Sequence, residues 1–344
     1  MRDGQAVLVT GGAGYIGSFV VRACLLSGRS VVALDDGSKG HFEAVRRAGA
    51  DLADGALVHA VRGRVGDGEL IRSLVREHDI EACVHLAGRS LVAESVADPL
   101  TYYESNVGQG LNLLSGLVAS GVKRFVFSSS AAVYGHPATV PIAEDEPLLP
   151  INPYGETKMV MELALRRLHE AYGLTYAALR YFNAAGADEA AGLGEDHHPE
   201  SHLVPLAVDA ALGLRGALTV FGRDYPTPDG TCIRDYVDVR DIAQAHIAAL
   251  DVLQAGGSVG PVNLGTGTGF SVLEVLDAVE VATGRAVPHV FGDRRPGDPA
   301  VLVASGERAR HVLGWAPAHS LASSVAAAAA WRRAWPQGYP NGGA

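Results

Sequence analysis

The stretch "VLVTGGAGYIGS" constrains this chain more than any other. An apolar run, "AVLVT" (6–10), passes directly into Gly11, Gly14 and Gly17 and then into a helix-compatible segment over 15–27. Glycines spaced G-x-x-G-x-x-G allow a tight strand-to-helix turn. They also let backbone N–H groups approach a pyrophosphate at the helix N-terminus. Such a turn needs glycine whether or not it binds anything, so context decides. The next apolar run, "SVVALD" (30–35), ends in Asp35, 18 residues past Gly17. A carboxylate there accepts the ribose hydroxyls of a dinucleotide and repels a 2′-phosphate, so NAD is the expected cofactor rather than NADP.

Further short runs follow: "LVHAVRG" (57–63), "ACVHLAG" (82–88), "RFVFSSS" (124–130) and "TYAALRYFN" (175–183). Helical stretches are expected over 69–78, 103–120 and 154–172. Several runs are apolar on both faces, as strands are when helices cover both sides of a parallel sheet. The pattern predicts an α/β fold, with a doubly wound parallel sheet of Rossmann type over 1–183. A later segment, about 236–255, is expected to return to this domain. After Asn183 the segments become shorter and richer in glycine and proline, which predicts a smaller C-terminal α+β substrate lobe over 184–335. A disordered tail is expected over 336–344, and a cleft between the two parts.

Composition narrows the function. Of 344 residues, 48% are hydrophobic and 19% charged, which describes a globular protein with a sizeable core. The net charge is −10 and no basic run exceeds two residues, so no nucleic-acid partner is expected. The three cysteines (Cys24, Cys83, Cys232) form no C-x-x-C pair, which argues against a zinc knuckle or a disulfide framework and fits a cytoplasmic location. No apolar stretch reaches 18 residues, so no membrane span is expected. The spacing of His197, His198 and His202 in "HHPESH" invites a metal, but no partner cluster stands out in the sequence and none is expected to bind.

The chemistry points to "INPYGETK" (151–158). The chain has 25 arginines but only three lysines, and Lys158 sits four residues after Tyr154. Asn152 suits an N-cap and Pro153 the first helical position, so Tyr154 and Lys158 share one helix face. A tyrosine titrates near ~10, and a neighbouring ammonium together with a cationic nicotinamide would make its phenolate a usable base. Ser128, Ser129 and Ser130 leave the C-terminal end of a strand, where open α/β sheets bind ligands. Ser130 is placed to share the proton.

With these residues in hand the chain resembles the extended short-chain dehydrogenase/reductase family and, within it, the UDP-glucose 4-epimerases. The resemblance rests on "VLVTGGAGYIGS", "HLAGRSLVAESV", "YYESNV", "VFSSSAAVYG", "NPYGETK", "LRYFNAAGA", "FGRDYPTPDGTCIRDYVDV", "NLGTGTGFSVLEV" and "RRPGDPA", from residue 7 to about 315. It implies epimerisation at sugar C4 through a 4-keto intermediate, with NAD as cofactor, a UDP-sugar as substrate, and a homodimer formed through helices near 103–120 and 154–172. Tyr154 would be the base, Lys158 its tuner and Ser130 the bridge to the substrate hydroxyl. The implied cofactor positions are Gly11, Gly14, Tyr15, Ile16, Gly17, Asp35, Asp36, Ser38, Lys39, Leu86, Ala87, Gly88, Arg89, Asn106, Ser128 and Phe182, besides Tyr154 and Lys158. The implied substrate positions are Asn183, His202, Leu203, Thr219, Val220, Phe221, Arg234, Arg295 and Asp298, besides Ser130 and Tyr154. Arg234 and Arg295 also suit a diphosphate on physical grounds, since a guanidinium fork matches phosphate oxygens.

Three departures matter. Arg64 stands where the family often has an Asp reaching toward the adenine. Arg89 is expected to take over the phosphate-facing role of a missing lysine. Leu302 aligns with a gate often filled by tyrosine, and a smaller residue there would admit N-acetylated sugars; epimerisation of UDP-N-acetylhexosamines or UDP-uronates is therefore the enzymatic alternative. A 4,6-dehydratase is disfavoured, because Ala131 and Ala132 cannot supply the acid–base carboxylates that elimination needs. A non-catalytic NAD-binding sensor is the alternative of a different class, although such a chain would have no need of the Tyr–Lys pair.

Overall fold

The computed structural model describes residues 6–52, 57–295 and 298–340. Six strands, β1 (Ala6–Thr10), β2 (Ser30–Asp35), β3 (Val58–Arg62), β4 (Ile80–His85), β5 (Arg124–Ser130) and β6 (Thr175–Tyr181), alternate with helices α1 (Tyr15–Leu26), α2 (Phe42–Ala48), α3 (Gly68–His78), α4 (Val92–Ala97), α5 (Pro99–Tyr102), α6 (Gln109–Ala119) and α7 (Pro153–Tyr172). A π-helical turn, Tyr103–Gly108, leads into α6. The expected 175–183 strand is divided: β7 (Asn183–Ala185) leaves the large sheet and pairs with a lobe strand.

Beyond it lie α8 (Leu203–Leu212), β8 (Leu218–Phe221), β9 (Ile233–Asp238), α9 (Val239–Gln254), β10 (Gly260–Leu264), β11 (Gly269–Ser271), α10 (Val272–Thr283), β12 (His289–Gly292), β13 (Val301–Leu302), α11 (Glu307–Leu313) and α12 (Leu321–Ala334). The large sheet is parallel throughout, in the order β10-β6-β5-β4-β1-β2-β3. The strand order reverses between β1 and β4, which opens a crevice at their C-terminal ends.

Both faces of the sheet are buried. Val7, Val9, Val31 and Val84 pack on one side with α1 and α9; Leu8, Val32, Cys83 and Phe125 pack on the other with α3 and α6. The lobe has its own core, in which Val204, Val208, Val275, Val279 and Val325 bring α8, α10 and α12 together. The lobe expected over 184–335 is interrupted where a return to the sheet domain was expected: α9 packs on that domain, and β10, just past the expected segment, extends the sheet beyond β6. The disordered tail expected from 336 also needs correction. Tyr339 is buried, its amide donates to Asp196 Oδ2 at 2.8 Å and its hydroxyl accepts from Gly194 N at 2.9 Å. Residues 341–344 lie outside the described residues.

Candidate active site

The glycine turn is shaped by close approaches. Gly11 has φ +71°, and a Cβ there would run into the backbone of Leu86 and Ala87 at the end of β4. A Cβ on Gly17 would collide with the Gly11 carbonyl, so the helix can start this close to the strand only with glycine. No side chain caps α1, whose N-cap is Gly14. Its first-turn amides and dipole are thus available to an anion. Asp35 ends β2, where it accepts from Ala13 N at 3.1 Å and Gly37 N at 2.8 Å, each oxygen retaining a lone pair for a hydroxyl. These residues fit a dinucleotide: a cradle without side chains for the pyrophosphate and an acidic terminus for a ribose.

The other expected cofactor positions divide. Leu86 and Ala87 donate their amides to the Thr10 carbonyl, which holds the two strand ends together. Gly88 leans on Asn106, which accepts from Arg89 N at 2.8 Å and donates to Arg89 O at 3.0 Å and to Thr157 Oγ1 at 3.1 Å. Asn106 therefore ties this loop to α7. The Arg89 guanidinium pairs with Glu94 at 3.0 Å and is half exposed. Tyr15 is buried and donates to Gly186 O at 2.7 Å, so its hydroxyl serves the lobe contact while Ile16 packs on the core. Asp36 accepts from Ser38 N at 2.9 Å, and Lys39 Nζ donates to His198 O at 3.2 Å.

At the opposite side of the crevice α7 begins as its sequence predicts. Asn152 accepts from Gly155 N at 2.9 Å, Pro153 occupies the first turn, and Gly173 ends the helix at φ +67°. A Cβ on Gly155 would strike the Ala132 carbonyl, which brings Tyr154 against the short 3₁₀ turn Ala131–Val133. Ser130 caps that turn by accepting from Ala132 N at 3.2 Å. Lys158 is buried and donates to Ser128 O at 2.7 Å, with Nζ 5.7 Å from the Tyr154 ring centroid and 5.0 Å from that of Phe127. The Ser128 hydroxyl accepts from Tyr181.

Burial pushes the Lys158 ammonium down to about 8, opposed by the nearby Glu162 carboxylate. Burial also raises the Tyr154 hydroxyl above its ordinary value, while the Ser130 hydroxyl pulls it down. This differs from the lowered tyrosine that a neighbouring ammonium alone would produce. In the protein by itself desolvation is the dominant influence on Tyr154, and the Lys158 ammonium is engaged with the Ser128 carbonyl.

One residue escaped the sequence reading. Glu162 lies one turn beyond Lys158 on the same face, buried, and takes two hydrogen bonds from Arg180, at 2.9 Å and 2.5 Å, and one from Ser129 at 2.5 Å. Arg180 Nη1 continues to Tyr134 at 2.8 Å, and Tyr134 to Asn263 at 2.7 Å. The signal was present as the i, i+4 series Tyr154, Lys158, Glu162 and as one arginine inside the apolar β6.

The lobe supplies the second wall. Arg234 is buried, pairs with Asp298, and donates to Ile233 O at 2.7 Å. The Arg295 guanidinium lies 4.2 Å from the Phe221 ring centroid, at the end of β8, which also carries Thr219 and Val220. Phe182 and Leu302 belong to one small apolar cluster with Ala131, Val133 and Tyr134, so Leu302 reaches the turn beside Ser130. Asn183 opens β7, and Leu203 starts α8 against the lobe core. His202 turns Nδ1 to Glu195 and Glu200. The expectation that the histidines lack a partner cluster is corrected by these two glutamates.

Comparison with known proteins agrees with this geometry. The chain is 48% identical over 315 residues to the UDP-glucose 4-epimerase of Halalkalibacterium halodurans, covering 92% of this chain and 91% of that one. Among solved structures, the UDP-glucose-4-epimerase of Stenotrophomonas maltophila with bound NAD and formylated UDP-arabinopyranose superposes with a TM-score of 0.92 at 40% identity, covering 96% of this chain and 99% of that one. The UDP-glucose 4-epimerase of Bifidobacterium longum in complex with NAD+ and UDP gives 0.91 at 38%, covering 97% and 100%. The model of the NAD dependent epimerase/dehydratase family matches residues 7–265, and the chain belongs to that family.

Proposed function

We propose that the protein is a UDP-glucose 4-epimerase, an isomerase that interconverts UDP-glucose and UDP-galactose with NAD as its resident cofactor. The observation that carries this reading is Tyr154, Lys158 and Ser130 gathered at the C-terminal end of the sheet, beside a turn whose Ala131 and Ala132 cannot drive elimination. When bound, the nicotinamide supplies a hydride acceptor and donor for sugar C4. The chain's own residues handle protons and position. Tyr154 takes the proton of the 4-hydroxyl, and returns it after the 4-keto sugar has turned about its diphosphate linkage. Ser130 bridges the two oxygens. Lys158 uses one N–H on the Ser128 carbonyl and keeps two donors for the cofactor ribose. Arg234 and Arg295 hold the diphosphate, with Asp298 fixing the first guanidinium and Phe221 stacking the second.

The test is direct: purified protein should carry NAD, released on denaturation, and should convert UDP-galactose to UDP-glucose. An NAD-loaded preparation that leaves both sugars unchanged would sink the reading. A parallel panel with UDP-GlcNAc and UDP-GalNAc reads out Leu302 as the gate. Tyr103, Leu111 and Leu163 expose apolar surface on the helices around α6 and α7, which supports a homodimer through that face; light scattering decides it. Among the described residues no helix is long and apolar enough to cross a membrane, which is compatible with a cytoplasmic location.

A further inference from the structure

Between β7 and α8 the chain runs through "GEDHHPESH", and four of its side chains converge. Glu195 Oε1 lies 3.2 Å from His197 Nδ1 and 2.5 Å from His202 Nδ1. Glu200 Oε2 lies 3.6 Å from His197 Nδ1, and its Oε1 lies 3.4 Å from His202 Nδ1. One ligand atom from each of the four lies within 4.8 Å of the others. We propose that Glu195, His197, Glu200 and His202 form a binding site for a divalent first-row transition metal ion, with zinc the best fit.

Geometry separates this from a simple quartet of ion pairs. Both Nδ1 atoms are shielded from solvent, yet neither makes a hydrogen bond, although carboxylate oxygens stand within 2.5–3.6 Å of them. An imidazolium holding a carboxylate would aim its N–H at one oxygen. Here neither ring N–H direction meets a single oxygen at hydrogen-bond angles, close as the oxygens are. A tetrahedral ion with bonds of 2.0–2.2 Å keeps its donors about 3.4 Å apart, and the observed separations fall on either side of that value. Two imidazoles and two carboxylates suit zinc, whereas magnesium and calcium prefer oxygen alone. All four ligands come from eight consecutive residues, so the loop alone can assemble the site.

The site would brace the join between the two halves of the molecule. His197 packs edge-on against Tyr15 of the glycine turn, with ring centroids 6.4 Å apart, and His202 immediately precedes α8. Asp196, inside the same loop, accepts the Tyr339 amide and lies 3.4 Å from His41. A filled, four-ligand site leaves no position for substrate and is structural. The inference does not depend on the sugar chemistry proposed above.

The experiment uses the whole protein, purified without a metal-affinity tag, dialysed against metal-free buffer and analysed by plasma mass spectrometry. About one zinc or other first-row ion per chain is expected. His197→Asn should lose most of it, while His198→Ala, an exposed neighbour outside the quartet, should retain it. A strong chelator should lower the melting temperature of the wild type by several degrees and added zinc chloride should restore it, with His197→Asn indifferent to both. Should His197→Asn fail to fold, a cobalt-loaded wild type with the visible absorption of tetrahedral coordination supports the site, and its absence counts against it. A wild type without bound transition metal and without a zinc-dependent melting shift overturns the proposal. So does equal loss of metal in His198→Ala, which would indicate surface chelation.

Discussion

The two walls of the cleft hold their charged groups in different ways. On the sheet wall, Lys158, Glu162 and Arg180 are buried, and each is fixed by hydrogen bonds to a strand or to a neighbouring side chain of the same network. On the lobe wall the arginines are held by separate contacts that do not join into one network: Arg234 by Asp298 and the Ile233 carbonyl, Arg295 by the face of Phe221, and the exposed Arg294 by Asp224 and the face of Tyr225. Groups that exchange protons need fixed geometry, and the first wall provides it. Groups that grip a flexible diphosphate can tolerate a looser mounting, and the second wall provides that. The comparison predicts that changes on the sheet wall act on turnover or folding, and that changes on the lobe wall act on substrate affinity.

The largest effect should come from Tyr154→Phe. Removing a general base typically costs about 10²–10⁴-fold in rate, and here NAD content and melting temperature should stay near wild type because only the contact with the Ser130 hydroxyl is lost. Turnover of UDP-galactose together with the released nicotinamide measures both. Near-normal turnover would remove Tyr154 from the base role and dissolve the distinction between the walls. Next in size is Arg180→Met, which leaves Glu162 buried without its partner. Breaking such a pair from one side destabilises by about 3–5 kcal/mol, read as a lower denaturant midpoint. The double variant Arg180→Met/Glu162→Leu should recover much of that loss, since the orphaned charge disappears as well.

Lys158 gives a pH test of the same wall. Its ammonium is pushed down to about 8, below the ordinary 10.5, so the folded protein carries the cost of the buried charge below pH 8. That cost is relieved as pH rises from 8 to 10.5, where the unfolded chain binds the extra proton, so this group makes stability rise over that window. Lys158→Met should abolish this component in denaturation curves taken across the window. Activity should move the other way, because the ammonium that steadies a Tyr154 phenolate is lost at high pH, with kcat/KM falling by up to about tenfold per pH unit.

Legibility followed the same division. The glycine turn, the strands that follow it, and the Asn152–Pro153 start of α7 are local: each is specified by residues within one or two turns of chain, and spacing reveals them. Tyr154 and Lys158 could be read for that reason. Glu162 was overlooked because its meaning depends on Arg180, a strand away in space and 18 residues along the chain. The return of β10 to the sheet and the docking of Tyr339 onto Asp196 are long-range events of the same kind. The histidine loop is the instructive middle case. Its metal-ligand spacing was visible, but the two glutamates that complete the quartet sit among ordinary loop residues, and only the fold turns them inward.

Arg234→Lys probes the lobe wall. A lysine keeps the charge but loses the fork, so the KM for UDP-galactose should rise about 10- to 100-fold, matching the roughly 1.5–3 kcal/mol of a hydrogen bond to a charged group, with kcat little changed. A loss confined to kcat would place Arg234 in the chemistry and make the walls alike. The smallest effect is expected at Arg89. Its guanidinium pairs with Glu94 on the surface, where such pairs contribute about 0–1 kcal/mol. Arg89→Ala should therefore retain NAD to within about twofold and shift the denaturant midpoint only slightly. The resemblance to the family instead assigns Arg89 to a cofactor phosphate, which predicts a preparation largely stripped of NAD. Cofactor content per chain, measured after gel filtration, chooses between the two, because a surface pair with Glu94 contributes little to holding NAD whereas a phosphate contact contributes directly.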